Sequence, residues 1–96
     1  MAQEKYILVK HYCKVSKIED TFLNRLHEFG LITFKEQQND IYIDEQDISE
    51  IERMFRLHHD LGINFEGLDA IKEMLTRIQQ LEEELNYLQK KLRLYE

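Results

Sequence analysis

The last third of this 96-residue chain constrains the fold more than any other part. From Ile71 onward the apolar positions Ile71, Met74, Ile78, Leu81, Leu85, Leu88, Leu92 and Tyr95 step by alternating threes and fours. This is a heptad seam held for more than three repeats, flanked by Glu82, Glu83, Glu84, Lys90, Lys91 and Arg93. A helix of about thirty residues is ~45 Å long at 1.5 Å per residue, more than a small head can cover. Each large apolar side chain left in water forgoes ~1.5–3 kcal/mol of burial. The seam therefore calls for a partner helix, and the simplest partner is a second copy of the chain. Ile71, Met74, Ile78, Leu81, Leu85, Leu88 and Leu92 are the expected dimerisation residues. Asn86 falls beside the seam, so no buried amide selects parallel or antiparallel pairing.

The remainder is enough for one small domain, expected over residues 1–62, with 63–96 as the dimerisation helix. A domain of that size buries only about 60% of the surface its unfolded chain exposes, so a second stabilising device such as self-association is expected. There is no proline or tryptophan and only three glycines, which favours helices over a β-sandwich. Tyr6-Ile7-Leu8-Val9 reads as a brief strand, and Tyr12, Cys13 and Val15 suit a short helix ending near Ser16. Ser16 with Glu19 has capping-box spacing for a second helix carrying Ile18, Phe22, Leu23, Leu26 and Phe29 and stopping at Gly30. Leu31–Phe34 and Ile41–Ile43 flank a polar stretch and read as the two arms of a hairpin, or wing. Asp44 or Asp47, the latter with Glu50 in a capping box, can start a third helix. That helix bears Ile48, Ile51, Met54, Phe55 and Leu61 on one stripe and ends at Gly62. Asn64 opens the long helix, with Glu66 in its first turn, where a negative charge favours the helix dipole. The expected fold is mainly α: a winged helix-turn-helix head with a small β-hairpin and a long C-terminal coiled-coil helix.

Charge is distributed unevenly along the chain. Up to residue 40 six basic side chains balance six acidic ones, and the whole net charge of −6 arises beyond that point. A nucleic-acid binder gains most of its affinity from a basic face that neutralises phosphates. Here DNA affinity is expected to be poor unless the fold gathers Lys5, Lys10, Lys14, Lys17, Arg25 and Lys35 on one side. The second helix offers Asp20, Thr21, Asn24, Arg25 and Glu28, and the wing sets one Lys35 against Glu36 and Asp40. If DNA is bound, Lys17, Asn24, Arg25 and Lys35 are the contacts to expect. An acidic surface suits a basic protein partner better. Asp44, Glu45, Asp47, Glu50 and Glu52, with Glu66 and Asp69, are the candidate partner-binding residues; as caps and solvated helix faces they would need no partner.

Enzyme chemistry finds no foothold. His58 and His59 are adjacent, so on a helix they point about 100° apart and cannot chelate one ion from one face. Cys13 is the single cysteine; Lys10, Lys14 and Lys17 could lower its pKa, but between apolar neighbours it reads as a small core residue. There is no phosphate-binding Gly-rich loop, paired-carboxylate cleft or Ser/His/Asp order, and no cofactor or metal is expected. No window approaches the ~18 apolar residues of a transmembrane helix, and the N-terminal apolar segment is too short for a signal-peptide core. A cytoplasmic, reduced chain is expected.

Leu23-Asn24-Arg25-Leu26-His27-Glu28-Phe29-Gly30-Leu31-Ile32 resembles the Leu-Arg-Tyr-Tyr-Glu-x-x-Gly-Leu-Leu run of MerR-type winged helix proteins. The glycine and the apolar positions match; the arginine and tyrosines that such proteins use on the DNA backbone become Asn24, Arg25 and Leu26. Arg56-Leu57-His58-His59-Asp60-Leu61-Gly62-Ile63-Asn64-Phe65-Glu66-Gly67 resembles a segment of the chaperone-modulator family (CbpM), a MerR-like branch. In that family a Leu-Arg-x-Asp-Leu run leads into Asn, an aromatic residue, Glu and Gly. The likeness extends from about Tyr6 to Leu92. It implies a non-enzymatic dimeric modulator that binds the J domain of a DnaJ-like co-chaperone of the CbpA type, blocking its stimulation of DnaK and its DNA binding. The alternative is a MerR-like DNA-binding transcriptional regulator without an effector domain, or a scaffold with some other partner.

Overall fold

The computed structural model describes residues 5–95. Its elements run β1 (Tyr6–Leu8), α1 (Val9–Ser16), α2 (Asp20–Glu28), β2 (Lys35–Gln37), β3 (Asp40–Asp44), a single 3₁₀ turn (Glu45–Asp47), α3 (Ile48–Leu61) and α4 (Phe65–Arg93). This is the mainly helical winged helix-turn-helix head with a long terminal helix that the sequence predicts. Val9 begins α1 instead of closing the first strand.

The turn between α1 and α2 is built differently from the expected capping box. Ser16 is the last residue of α1, and its Oγ accepts the Ile18 N–H at 3.2 Å. Lys17 sits in the left-handed region (φ 65°), and α2 starts three residues later with no side-chain cap bond from Glu19. A tight helix-turn-helix corner needs those residues outside both helices, so Ser16 cannot belong to the second one. Ile18 is buried nonetheless.

The wing also departs from expectation. Leu31 and Ile32 are both buried, 3% and 5% exposed. Successive strand residues point to opposite faces, so two neighbours sunk in one core do not form a strand here. The first wing strand is instead Lys35–Gln37, all three residues exposed and paired as Lys35↔Tyr42, Glu36↔Ile41 and Gln37↔Asp40. Gln38 and Asn39 form the two-residue turn, with φ 52° and 66°, the double positive φ of a type I′ hairpin that fixes register. β1 adds to the other edge of β3, pairing Ile7 with Ile43, so the sheet has three antiparallel strands in the order β1-β3-β2.

At the start of α3, Asp44 caps the 3₁₀ turn by accepting the Gln46 N–H at 2.9 Å, whereas Asp47 makes no side-chain cap bond. Ile51 and Met54 are buried, with Ile48 and Phe55 packed beside them. Leu61 does not join this stripe; it is 69% exposed, because α3 ends there as the chain turns away. The corner that follows is closely specified. Gly62 (φ +68°) donates to the His58 carbonyl and Ile63 to the Leu57 carbonyl, a Schellman termination. Asn64 then caps α4 by accepting the Gly67 N–H at 2.8 Å. A Cβ on Gly67 would lie 2.7 Å from Ile63 Cγ2 and 3.1 Å from Asn64 Oδ1, so only glycine fits without displacement.

The core gathers Val9 and Tyr12 of α1, Phe22, Leu23 and Leu26 of α2, Ile43 of β3, Ile51 and Met54 of α3, and Leu68 of α4, with Ile18, Leu31 and Ile32 between elements. It thus continues beyond residue 62 into the first turn of α4. Lys72 adds a polar tie, its Nζ donating to the Leu31 carbonyl at 2.6 Å. Farther along, α4 leaves the head. Ile71 is half-buried, but Met74, Ile78, Leu81, Leu85, Leu88 and Leu92 are 47–61% exposed along about 27 Å of helix. Tyr95 lies past Arg93, the last helical residue. No helix among the described residues is long and apolar enough to cross a membrane.

Candidate functional site

The exposed ridge of α2 separates two grooves. On one side Asp20 and Asn24 face α1 and the hairpin tip, lining a cavity of about 550 Å³ with Lys10, Lys14, Lys17, Asn39 and Asp40. Lys10 and Lys14 lie on one side of α1, four residues apart, and Lys17 follows at its left-handed C-cap and lines the same groove. Three lysines therefore meet the three carboxylates of Glu19, Asp20 and Asp40, and the groove has no net basic character. Cys13 lies at its floor, half-buried against the core. Burial, and then the Asp20 carboxylate, push its thiol above the usual range, so the lowering that neighbouring lysines could have produced does not occur.

On the other side of the ridge Thr21 and Arg25 face a corner that the sequence reading did not foresee. Phe22 packs edge-on against Phe55 with ring centroids 5.4 Å apart and lies 5.6 Å from Phe65. Phe29 stacks on Phe65 at 5.7 Å, and His59 on Phe55 at 5.4 Å. The Arg25 guanidinium lies 5.2 Å from the Phe29 ring and 5.1 Å from that of Phe65, and pairs with Glu28 at 3.2 Å. His58 and His59 diverge, as adjacent helical residues must. The Nδ1–H of His58 donates to the Ile63 carbonyl at 2.7 Å, and His59 Nδ1 lies 3.0 Å from the Asp60 carboxylate. No group of three His, Cys, Asp or Glu side chains among the described residues could hold a metal ion.

Of the expected DNA contacts, Lys17 and Asn24 meet in the first groove, while Arg25 is turned to the aromatic corner. Lys35 lies over the Tyr6 ring, its Nζ 4.3 Å from the centroid. The expected acidic surface is likewise divided. Asp44, Asp47 and Glu50 come together beside Lys72, and burial, followed by the Asp44 carboxylate, holds the Asp47 carboxyl above its ordinary range, Lys72 opposing and Glu50 adding. Glu50 also reaches Arg53 at 3.7 Å. Glu45 is exposed next to this group. Glu52 is turned instead toward Ser16 and Arg56 on the α1 side. Glu66 is exposed in the first turn of α4, and Asp69 lines a cleft with Gly30, Leu31 and Lys72.

A helix-turn-helix with a wing and a long terminal helix defines a protein of the winged helix-turn-helix class. A family profile described as MerR HTH family regulatory protein matches residues 7–90, and the chain belongs to that family. A search of curated proteins found no match.

Proposed function

We propose that the protein is a non-enzymatic, homodimeric modulator that binds the J domain of a CbpA-type co-chaperone and inhibits it. One observation carries the protein-binding half of this reading: the helix where a MerR-type head reads DNA offers Asp20 and Glu28 beside Asn24 and a single arginine, Arg25. The face suited to a duplex lacks the excess of cations that phosphates require. A basic partner would be met by Asp44, Glu45, Asp47 and Glu50, with Glu52, Glu66 and Asp69 as further carboxylates, by charge complementarity. The likeness of Arg56–Gly67 to the chaperone modulators supports the J domain as that partner, and in the fold this segment is the α3–α4 corner. Dimerisation is supported by the exposed ridge of α4, which a second copy would cover.

The test is calorimetric titration of the full chain with the J domain of a CbpA-type co-chaperone, alongside J-stimulated ATP hydrolysis by DnaK. Binding and suppression are expected, and replacing Asp44, Glu45 and Glu50 by their amides should weaken both. The second reading, a DNA-binding regulator, draws on the family match and on the Lys10, Lys14 and Lys17 row. It would prevail if the J domain failed to bind while duplex DNA bound with a steep salt dependence.

A further inference from the structure

The corner between α2, the end of α3 and the start of α4 has the wrong chemistry to be mere surface on a chain of net charge −6. Phe22, Phe55 and Phe65 line an open groove of about 480 Å³, within the range of roughly 300–1,000 Å³ typical of ligand sites. Lys17, Arg25 and His59 stand on its rim, and Glu19 is the one carboxylate among the lining residues. Phe55 and Phe65 are half-buried, so an incoming apolar side chain would remove further ring surface from water. Arg25 is held in place by the two rings it lies over, so little conformational freedom remains to be lost on binding. Its pairing with Glu28 is solvent-exposed and correspondingly weak, so a carboxylate from outside can replace Glu28 at small cost.

We propose that this groove docks a short acidic segment of a partner protein, anchored by one aromatic or leucine side chain. The anchor packs on the part-exposed rings of Phe55 and Phe65, and carboxylates on either side of it meet Arg25 and Lys17. The groove shares no residue with the Asp44, Asp47 and Glu50 face, so the proposal stands independently of how that face is used.

The experiment is selection of a random dodecapeptide display library on the immobilised full chain, followed by anisotropy titration of the enriched peptides. The expected pool carries one aromatic residue or leucine beside two or more Asp or Glu. Arg25→Glu and Lys17→Glu, both at exposed positions whose folding is verified by melting curves, should each raise Kd at least tenfold. Asp44→Asn with Glu45→Gln should leave it unchanged. An empty selection, or a neutral or basic pool, would overturn the proposal. So would unaltered affinity in Arg25→Glu, loss of the peptides in Leu85→Glu (which would put them on the α4 ridge), or an Arg25→Glu variant that loses duplex DNA binding but not peptide binding.

Discussion

The head and the outer part of α4 contain similar apolar side chains and treat them in opposite ways. In the head, Leu23, Leu26, Ile43 and Ile51 are completely buried, each covered by neighbours from other elements. In α4, Leu85 and Leu88 are more than half exposed. Burial of an apolar residue thus depends on whether the chain returns to cover it, and beyond Lys72 this chain does not. The head completes its core internally. The outer helix leaves its apolar ridge exposed in the single chain, and the pairing proposed for it would complete what the head completes alone.

The largest test of this contrast is Leu85→Glu. A wild-type dimer should sediment at twice 11.7 kDa. The variant should sediment as a monomer with its head still folded, and a variant that sediments like wild type would contradict the α4 pairing. Leu23→Ala probes the opposite end of the comparison. A fully buried leucine lost to a cavity should destabilise the head by about 2–5 kcal/mol in denaturant unfolding, without changing how the α4 helices pair. Gly67→Ala strikes the joint between the two regions. Overpacking against Ile63 and Asn64, of about 1–3 kcal/mol, should outweigh the gain of up to ~1 kcal/mol in helix propensity and lower the melting temperature. A melting temperature equal to or above wild type would mean that the corner yields more readily than its contacts imply.

The smallest expected effect concerns Asp47, where the head meets α4 through Lys72. Burial and the carboxylates of Asp44 and Glu50 raise its pKa above the ordinary 3.8. The folded state therefore holds this proton more tightly than the unfolded chain does. The penalty for ionising Asp47 is absent below the unfolded value, grows as pH rises between the two values, and is complete above the folded one. Asp47→Asn should accordingly raise stability at neutral pH, with the gain shrinking as pH falls through the raised folded value and gone below 3.8. Thermal melts across that range measure it, and a gain that persisted undiminished in acid would reject this cause.

Features set by adjacent residues were legible in the sequence. Gly62 and Asn64 mark the α3–α4 corner because a left-handed residue and a side-chain cap act on their own turn of helix. The α4 ridge was legible because a 3.5-residue period survives without any tertiary context. The wing was misplaced because Leu31 and Ile32 look β-prone, yet both are drawn into the core by α2 and α4. Ser16 was assigned to the wrong helix because its spacing to Glu19 fits a capping box equally well on paper. The acidic candidates were treated as one surface, whereas helical geometry turns Glu52 away from Asp47 and Glu50. The aromatic corner gave no linear signal, since Phe22, Phe55 and Phe65 meet only after three helices have packed.

By itself the sequence determined the helices, their stops, the balance of charge and the apolar ridge of α4, all properties of residues a few positions apart. Tertiary structure alone decided which strand joins the wing, where Arg25 points, which carboxylates face one another and that three distant phenylalanines share a groove. Such choices depend on contacts between elements far apart along the chain, and no local pattern encodes which faces will meet.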